Sequence, residues 1–213
     1  MNTSVAQQIA AKLLHIEAIR LSPEKPFTWA SGWQSPIYCD NRLSLSYPDI
    51  RSFIKNALQA LITAEFTGVE AIAGVATAGI PQGALVAEAM HLPFLYVRSK
   101  PKGHGMTNRI EGVVKPGQRV VLIEDLISTG GSSLKAALAL RKAGITVLGM
   151  AAIFTYGLTV ASQNFARENL KVVTLSNYHA LLEEAVAARY INPAEVATLQ
   201  AWRQDPANWP AKT

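Results

Sequence analysis

The sequence holds a single cysteine, Cys39, among 213 residues. One cysteine excludes an intrachain disulfide and any cysteine-built zinc or iron–sulfur site, and it fits a reducing compartment. No run of 18 apolar residues occurs, so no membrane-spanning helix is expected. Lys12, His15, Glu17 and Arg20 interrupt the apolar core that a secretory leader would need. A soluble, cytoplasmic protein is the expectation. Charged residues are few, at 16% against 49% hydrophobic, a balance that excludes disorder as the main state. Glycine and proline, at 14 and 11 residues, are too few for a low-complexity or collagen-like chain. A chain of this length suits one domain and buries roughly 70% of its extended surface on folding.

One scarcity is local. Between Glu88 and Glu111 there is no carboxylate, while the same stretch carries His91, Arg98, Lys100, Lys102, His104 and Arg109. The net charge is +5. A total of this size is compatible with a merely solvated surface, but its concentration in one segment suits an anionic ligand, whether nucleic acid or a small polyanion.

Apolar spacing predicts a helix over about 3–20 (Val5, Ile9, Leu13, Ile16) and a second over about 47–65. Ser46 is the expected N-cap of the second, with Pro48 in its first turn. Residues 26–42 are turn-rich and aromatic. From residue 70 onward, strands at 71–75, 93–97, 119–123, 145–153 and 171–175 alternate with helices, and helices fill most of the rest to about 204. A long loop is expected at 98–112 and a loop at 126–131. Continuous apolar strands alternating with helices imply an α/β fold with a mostly parallel sheet covered on both faces. Ligands of such sheets bind beyond the carboxyl ends of the strands. That rule selects the loops 76–83, 98–111 and 124–132.

The most informative string runs from Val120 to Ser132. An apolar strand leads into Glu124 and Asp125, then through Leu126, Ile127, Ser128, Thr129, Gly130 and Gly131 to a helix. The glycines allow backbone amides to approach an anion. The helix start adds partial positive charge, and the hydroxyls of Ser128, Thr129 and Ser132 can donate to phosphate oxygens. The two acids would repel a phosphate. They suit sugar hydroxyls, a magnesium ion, or positive charge developing on carbon. No lysine follows the glycines, as a Walker A loop requires, and the acids precede the glycines, unlike a dinucleotide fingerprint.

This string resembles the phosphoribosyl pyrophosphate (PRPP) signature of the type I phosphoribosyltransferases. Two further segments narrow the resemblance to the orotate phosphoribosyltransferases. Tyr96-Val97-Arg98-Ser99-Lys100-Pro101-Lys102-Gly103-His104-Gly105 is similar to their mobile loop. Phe27-Thr28-Trp29-Ala30-Ser31-Gly32 through Ser35-Pro36-Ile37-Tyr38 is similar to their base-covering segment. The resemblance implies a type I phosphoribosyltransferase fold over 1–213, with about 1–45 forming an N-terminal hood. It implies transfer of a 5-phosphoribosyl group from PRPP to orotate, a step of pyrimidine biosynthesis, with Mg2+ carried by PRPP and lying near Asp125.

By the same resemblance, Glu124 and Asp125 hold the ribose hydroxyls and residues 126–132 bind the 5-phosphate. The loop with Thr77, Ala78 and Gly79 takes the pyrophosphate, assisted by Arg98, Lys100, Lys102 and His104. Orotate is expected at Ser31, Ile37, Tyr38 and Ser128, with Arg42 a further candidate. A homodimer with shared sites is implied, and no nucleic-acid or membrane partner. Some relatives carry a non-proline cis bond in the pyrophosphate loop. The chain departs from many orotate enzymes at Ala30, Ala78 and Ser99, where they carry lysine, and at Tyr156, where they carry arginine. Two other readings stay open: a salvage enzyme for uracil or a purine, and a PRPP-sensing regulator that binds nucleic acid. The roughly 25 residues before Phe27 are fewer than a winged helix needs.

Overall fold

The computed structural model describes residues 3–29, 32–99 and 109–209. A six-stranded sheet forms its centre. The strands are β5 (Ala71–Val75), β6 (Phe94–Val97), β7 (Ile110–Glu111), β8 (Arg119–Ile127), β9 (Thr146–Thr155) and β10 (Val172–Asn177), in the spatial order β10-β9-β8-β5-β6-β7. All neighbours are parallel except β7, which runs antiparallel on the β6 edge. The central strands are buried on both faces, with all five residues of β5 buried. Their alternate side chains therefore feed two cores. Ile72, Val121, Ile123, Ala151 and Ile153 join one, which is covered by α1 (Val5–His15), α2 (Pro48–Glu65), α3 (Gly79–Ala89), α6 (Tyr178–Ala187) and α7 (Val196–Gln204). Ala71, Ala73, Leu122, Met150 and Ala152 join the other, under α4 (Gly131–Lys142) and α5 (Thr159–Arg167).

From β5 the chain moves to β6 on one side, then returns to β8 on the other. The crevice between the carboxyl ends of β5 and β8 is thus the point where strand order reverses, the place where open α/β sheets bind ligands.

The expected helix over 3–20 ends earlier, at His15. Glu17 adopts a left-handed φ of 55°, which turns the chain out of the helix. Ile19–Leu21 instead forms β1, paired antiparallel with β4 (Ile37–Cys39). Ser46 is not the cap of α2. It closes a 3-10 turn over Asn41–Ser46, and Tyr47 stands at the cap position without a side-chain bond, while Pro48 does occupy the first turn. β8 runs four residues past the expected Ile123. β9 continues to Thr155 and pairs with Glu124, Leu126 and Ile127. The long loop expected over 98–112 contains β7. A short hairpin, β2 (Phe27–Thr28) with β3 (Gln34–Ser35), completes the N-terminal segment.

Candidate active site

Glu124 and Asp125 stand near the carboxyl end of β8, at the strand-order reversal. Glu124 is only 5% exposed. Its Oε1 accepts the Asp125 N–H at 3.1 Å and its Oε2 accepts the Ser133 hydroxyl at 2.8 Å. Asp125 is half-buried and is the more open of the two carboxylates. Burial pushes both carboxyl groups above their ordinary range, and for Glu124 the adjacent Asp125 charge adds to the effect. Paired acids in this state gain from a cationic or hydroxyl-rich partner.

The turn after β8 needs glycine at one position. Gly130 has a φ of 75°, and a Cβ there would lie 2.5 Å from the Phe165 ring. The tight left-handed turn starts α4 directly at Gly131. The first amides of that helix therefore face the same crevice end, as anion sites at helix starts require. Ser128 and Thr129 are half-buried and Ser132 is exposed.

The loop after β5 forms the opposite wall. Its Ala76–Thr77 peptide bond is cis, in the segment where some relatives carry such a bond. Thr77 is exposed, Ala78 is half-buried and Gly79 opens α3. A side chain on Gly79 would collide with the Ile123 carbonyl, so glycine lets α3 start against β8 just before the acid pair. Beside this wall is a cleft of about 260 Å³ lined by Ala76, Arg98, Ser99, Arg109, Ser132 and Lys135 among others. Arg98 approaches Glu111 Oε1 at 3.4 Å. Three cations around one small cleft suit a multiply charged anion.

The N-terminal segment is held by aromatic packing. The Trp29 ring stacks on Tyr156 at 5.3 Å and meets Trp202 edge-on at 5.5 Å. Its indole N–H donates to the Ile37 carbonyl at 3.0 Å. Tyr38 packs on Phe27, and the Arg20 guanidinium lies over both rings. Ile37 is fully buried, and its amide donates to Ser35 Oγ at 3.2 Å. Arg42 grips Asp40 through two bonds of 2.6 and 2.8 Å and holds that carboxyl below its usual range. The guanidinium is thereby committed to Asp40.

The structure brings together most of the sequence-predicted residues it describes: Thr77, Ala78, Gly79, Arg98, and Glu124 through Ser132. Ile127 lies in the same stretch, but its side chain is buried and its carbonyl accepts the Tyr156 amide, so both are taken up by the sheet. Ala30, Ser31, Lys100, Lys102 and His104 lie outside the described residues. Tyr156 is buried beneath Trp29. Burial raises its hydroxyl well above the usual range, so the position is filled by a neutral aromatic packed into the core. Sequence reasoning missed two contributors. Lys135 had a readable signal, because it sits one turn into the helix that follows the phosphate-type loop. Asn41, whose Nδ2 donates to the Asp125 carbonyl at 2.7 Å across 84 residues of sequence, had none.

Comparison with known proteins gives the family. The phosphoribosyl transferase domain family matches residues 45–179. The orotate phosphoribosyltransferase of Bacteroides fragilis is 58% identical over 200 residues, covering 94% of each chain. That of Porphyromonas gingivalis is 55% identical over 206 residues, covering 97% of this chain and 98% of its own. Among solved structures, the orotate phosphoribosyltransferase of Aeropyrum pernix superposes with a TM-score of 0.75 at 28% identity, covering 86% of this chain and 99% of the other.

Proposed function

The chain belongs to the orotate phosphoribosyltransferases, and from that premise we propose that it transfers the 5-phosphoribosyl group of PRPP to orotate, releasing orotidine 5-phosphate and pyrophosphate. One observation carries the reading. A buried glutamate and a half-buried aspartate run straight into a hydroxyl-rich, left-handed turn and a helix start, at the point where the sheet reverses its strand order.

Chemistry distributes the roles. As the bond from ribose C1 to pyrophosphate breaks, the sugar gains positive charge and the leaving group negative charge. Preorganised groups help most where charge develops. Asp125 binds the ribose hydroxyls and faces the growing positive charge, and Glu124, fixed by Ser133, supports it. Ser128 to Ser132 and the start of α4 hold the 5-phosphate. Thr77 to Gly79, with Arg98, Lys100, Lys102 and His104, receive the pyrophosphate, and His104 hydrogen-bonds to it or protonates it as it leaves. The base nitrogen then closes on C1 and gives up its proton, which is accounted for by the departing pyrophosphate. Trp29 and Tyr38 organise the segment over the base, with Ser31 and Ser128 at its edge, while Ile37, fully buried and with its amide and carbonyl both bonded within the segment, supports it from behind. By resemblance to the family, the segment that carries Lys100, Lys102 and His104, which lies outside the described residues, excludes water from the reactive sugar during the reaction.

Magnesium fits this donor set in a limited way. No group of three or more His, Cys, Asp or Glu side chains gathers among the described residues. Both Glu124 oxygens already accept hydrogen bonds, and the ion is carried by PRPP near Asp125 with no direct protein ligand assigned. Magnesium is commonly held by one or two carboxylates together with substrate phosphates and water. When bound, the ion offsets charge on the leaving pyrophosphate.

The same reading makes the chain one cytoplasmic phosphoribosyltransferase domain, with residues 1–45 as a hood, working as a homodimer in which each subunit contributes Lys102 to its partner's site. The test is consumption of orotate with PRPP and magnesium, with uracil, hypoxanthine and adenine as controls. Magnesium-dependent loss of orotate alone is the expected result, and turnover of another base instead would overturn the assignment. Sharing is checked by mixing Asp125→Asn with Lys102→Ala. Random exchange makes about half the dimers mixed, each with one intact site, so about a quarter of wild-type activity returns.

A further inference from the structure

We propose that Asn41 is a positioning residue for Asp125, and that it does the work of a missing strand. The inference rests on the functional reading above. β5 pairs with β8 only as far as Ile123. Two residues later, on the edge that β5 has left, the Asp125 carbonyl needs a donor, since a buried backbone acceptor without one is costly. Asn41 supplies it at 2.7 Å. The carboxamide is well placed to hold a fixed position. Asn41 is 1% exposed, and its Oδ1 lies 3.2 Å from the Cys39 thiol, which donates to it. Its own carbonyl accepts the Ser44 hydroxyl at 2.6 Å. Ser44 in turn lies 3.4 Å from Gln82 Nε2, in the first turn of α3. Ser44 and Gln82 are both buried.

The chain Gln82–Ser44–Asn41–Asp125 thus crosses from the helix behind the pyrophosphate loop, through the N-terminal segment, to the ribose-binding acid. The Gln82 end is the weaker one, with a 3.4 Å link and a buried Oε1 that has no partner, whereas the Asn41 carboxamide is bonded at both its oxygen and its nitrogen, the condition under which a buried polar group rigidifies its surroundings. Here the network fixes the peptide on which the Asp125 carboxylate is mounted. Asn41 touches no substrate in this account and acts only through Asp125.

A double-mutant cycle on the full chain tests this. Asn41→Ala is expected to lower kcat about 10-fold or more in the wild-type background, because small misplacements of a catalytic group cost rate steeply. In an Asp125→Asn background the same change is expected to cost less than about 2-fold, since residues acting as a unit are non-additive. The KM for orotate is expected to move little. Asn41→Ser, whose shorter hydroxyl cannot reach the Asp125 carbonyl, serves in the same cycle if Asn41→Ala does not fold. An equal fold-loss in both backgrounds, or an unchanged kcat, would overturn the inference and leave the functional reading standing. A wild-type chain that turns over no orotate overturns both.

Discussion

The two halves of the site are built in opposite ways. The phosphate half, Glu124 to Ser132, is one continuous stretch whose geometry comes from a strand end, a left-handed glycine and a helix start. The base half, Phe27 to Arg42, has only short hairpin strands of its own. It is held by partners distant in sequence: Trp29 on Tyr156 and Trp202, and Asn41 on Asp125. A phosphate site can be local because backbone amides and helix ends suffice to make one. A base-covering segment must be braced from elsewhere, because two-residue strands have little stability alone.

If that contrast holds, damage to a distant brace should reach the base half and spare the phosphate half. Trp202→Ala removes a fully buried ring from the centre of the aromatic cluster. It is expected to cost about 3–5 kcal/mol in denaturant unfolding and to raise KM for orotate more than KM for PRPP. Equal effects on both constants would break the comparison.

Asp125→Asn tests the local half. It keeps shape and removes charge, so turnover is expected to fall about 100-fold, near 2.7 kcal/mol of barrier, with little change in unfolding midpoint. Gly130→Ala is expected to cost about 2 kcal/mol of stability. The left-handed φ and the Phe165 ring both oppose a Cβ. In steady-state kinetics its effect should fall on KM for PRPP.

The smallest effect is a gain. Glu124 titrates above its ordinary value in the folded chain. Between the unfolded and folded pKa values the folded state therefore holds more protons than the unfolded chain. Stability is present below the unfolded value and falls as pH rises through the folded one. Glu124→Gln removes that decline and is expected to raise the melting temperature by about 2–4 °C at neutral pH while lowering activity. A lower melting temperature would show that the ionised carboxylate is well compensated.

Much of the fold was legible. Apolar runs placed β5, β6, β8, β9 and β10, and the alternation with helices gave a parallel sheet. The misplaced boundaries share a physical origin, since each depended on a tertiary partner. Ile19–Leu21 became a strand because β4 lies beside it, and β8 reached Ile127 because β9 runs alongside to Thr155. Ser46 lost its cap role because the chain before α2 already winds into a 3-10 turn. The phosphate half could be read because its chemistry is contiguous. Asn41 looks like any asparagine after Asp40, and Tyr156 reads only as a departure from its relatives until Trp29 is seen stacked upon it.

The most direct test of this division is one kinetic experiment. Wild type, Asp125→Asn and Trp29→Ala are compared for KM towards PRPP and KM towards orotate. The account predicts a crossed pattern, in which Trp29→Ala raises KM for orotate about 10-fold or more and leaves that for PRPP within about 2-fold, while Asp125→Asn spares orotate and weakens PRPP or turnover. If both variants instead move the same constant, the two halves do not serve separate substrates and the account is wrong.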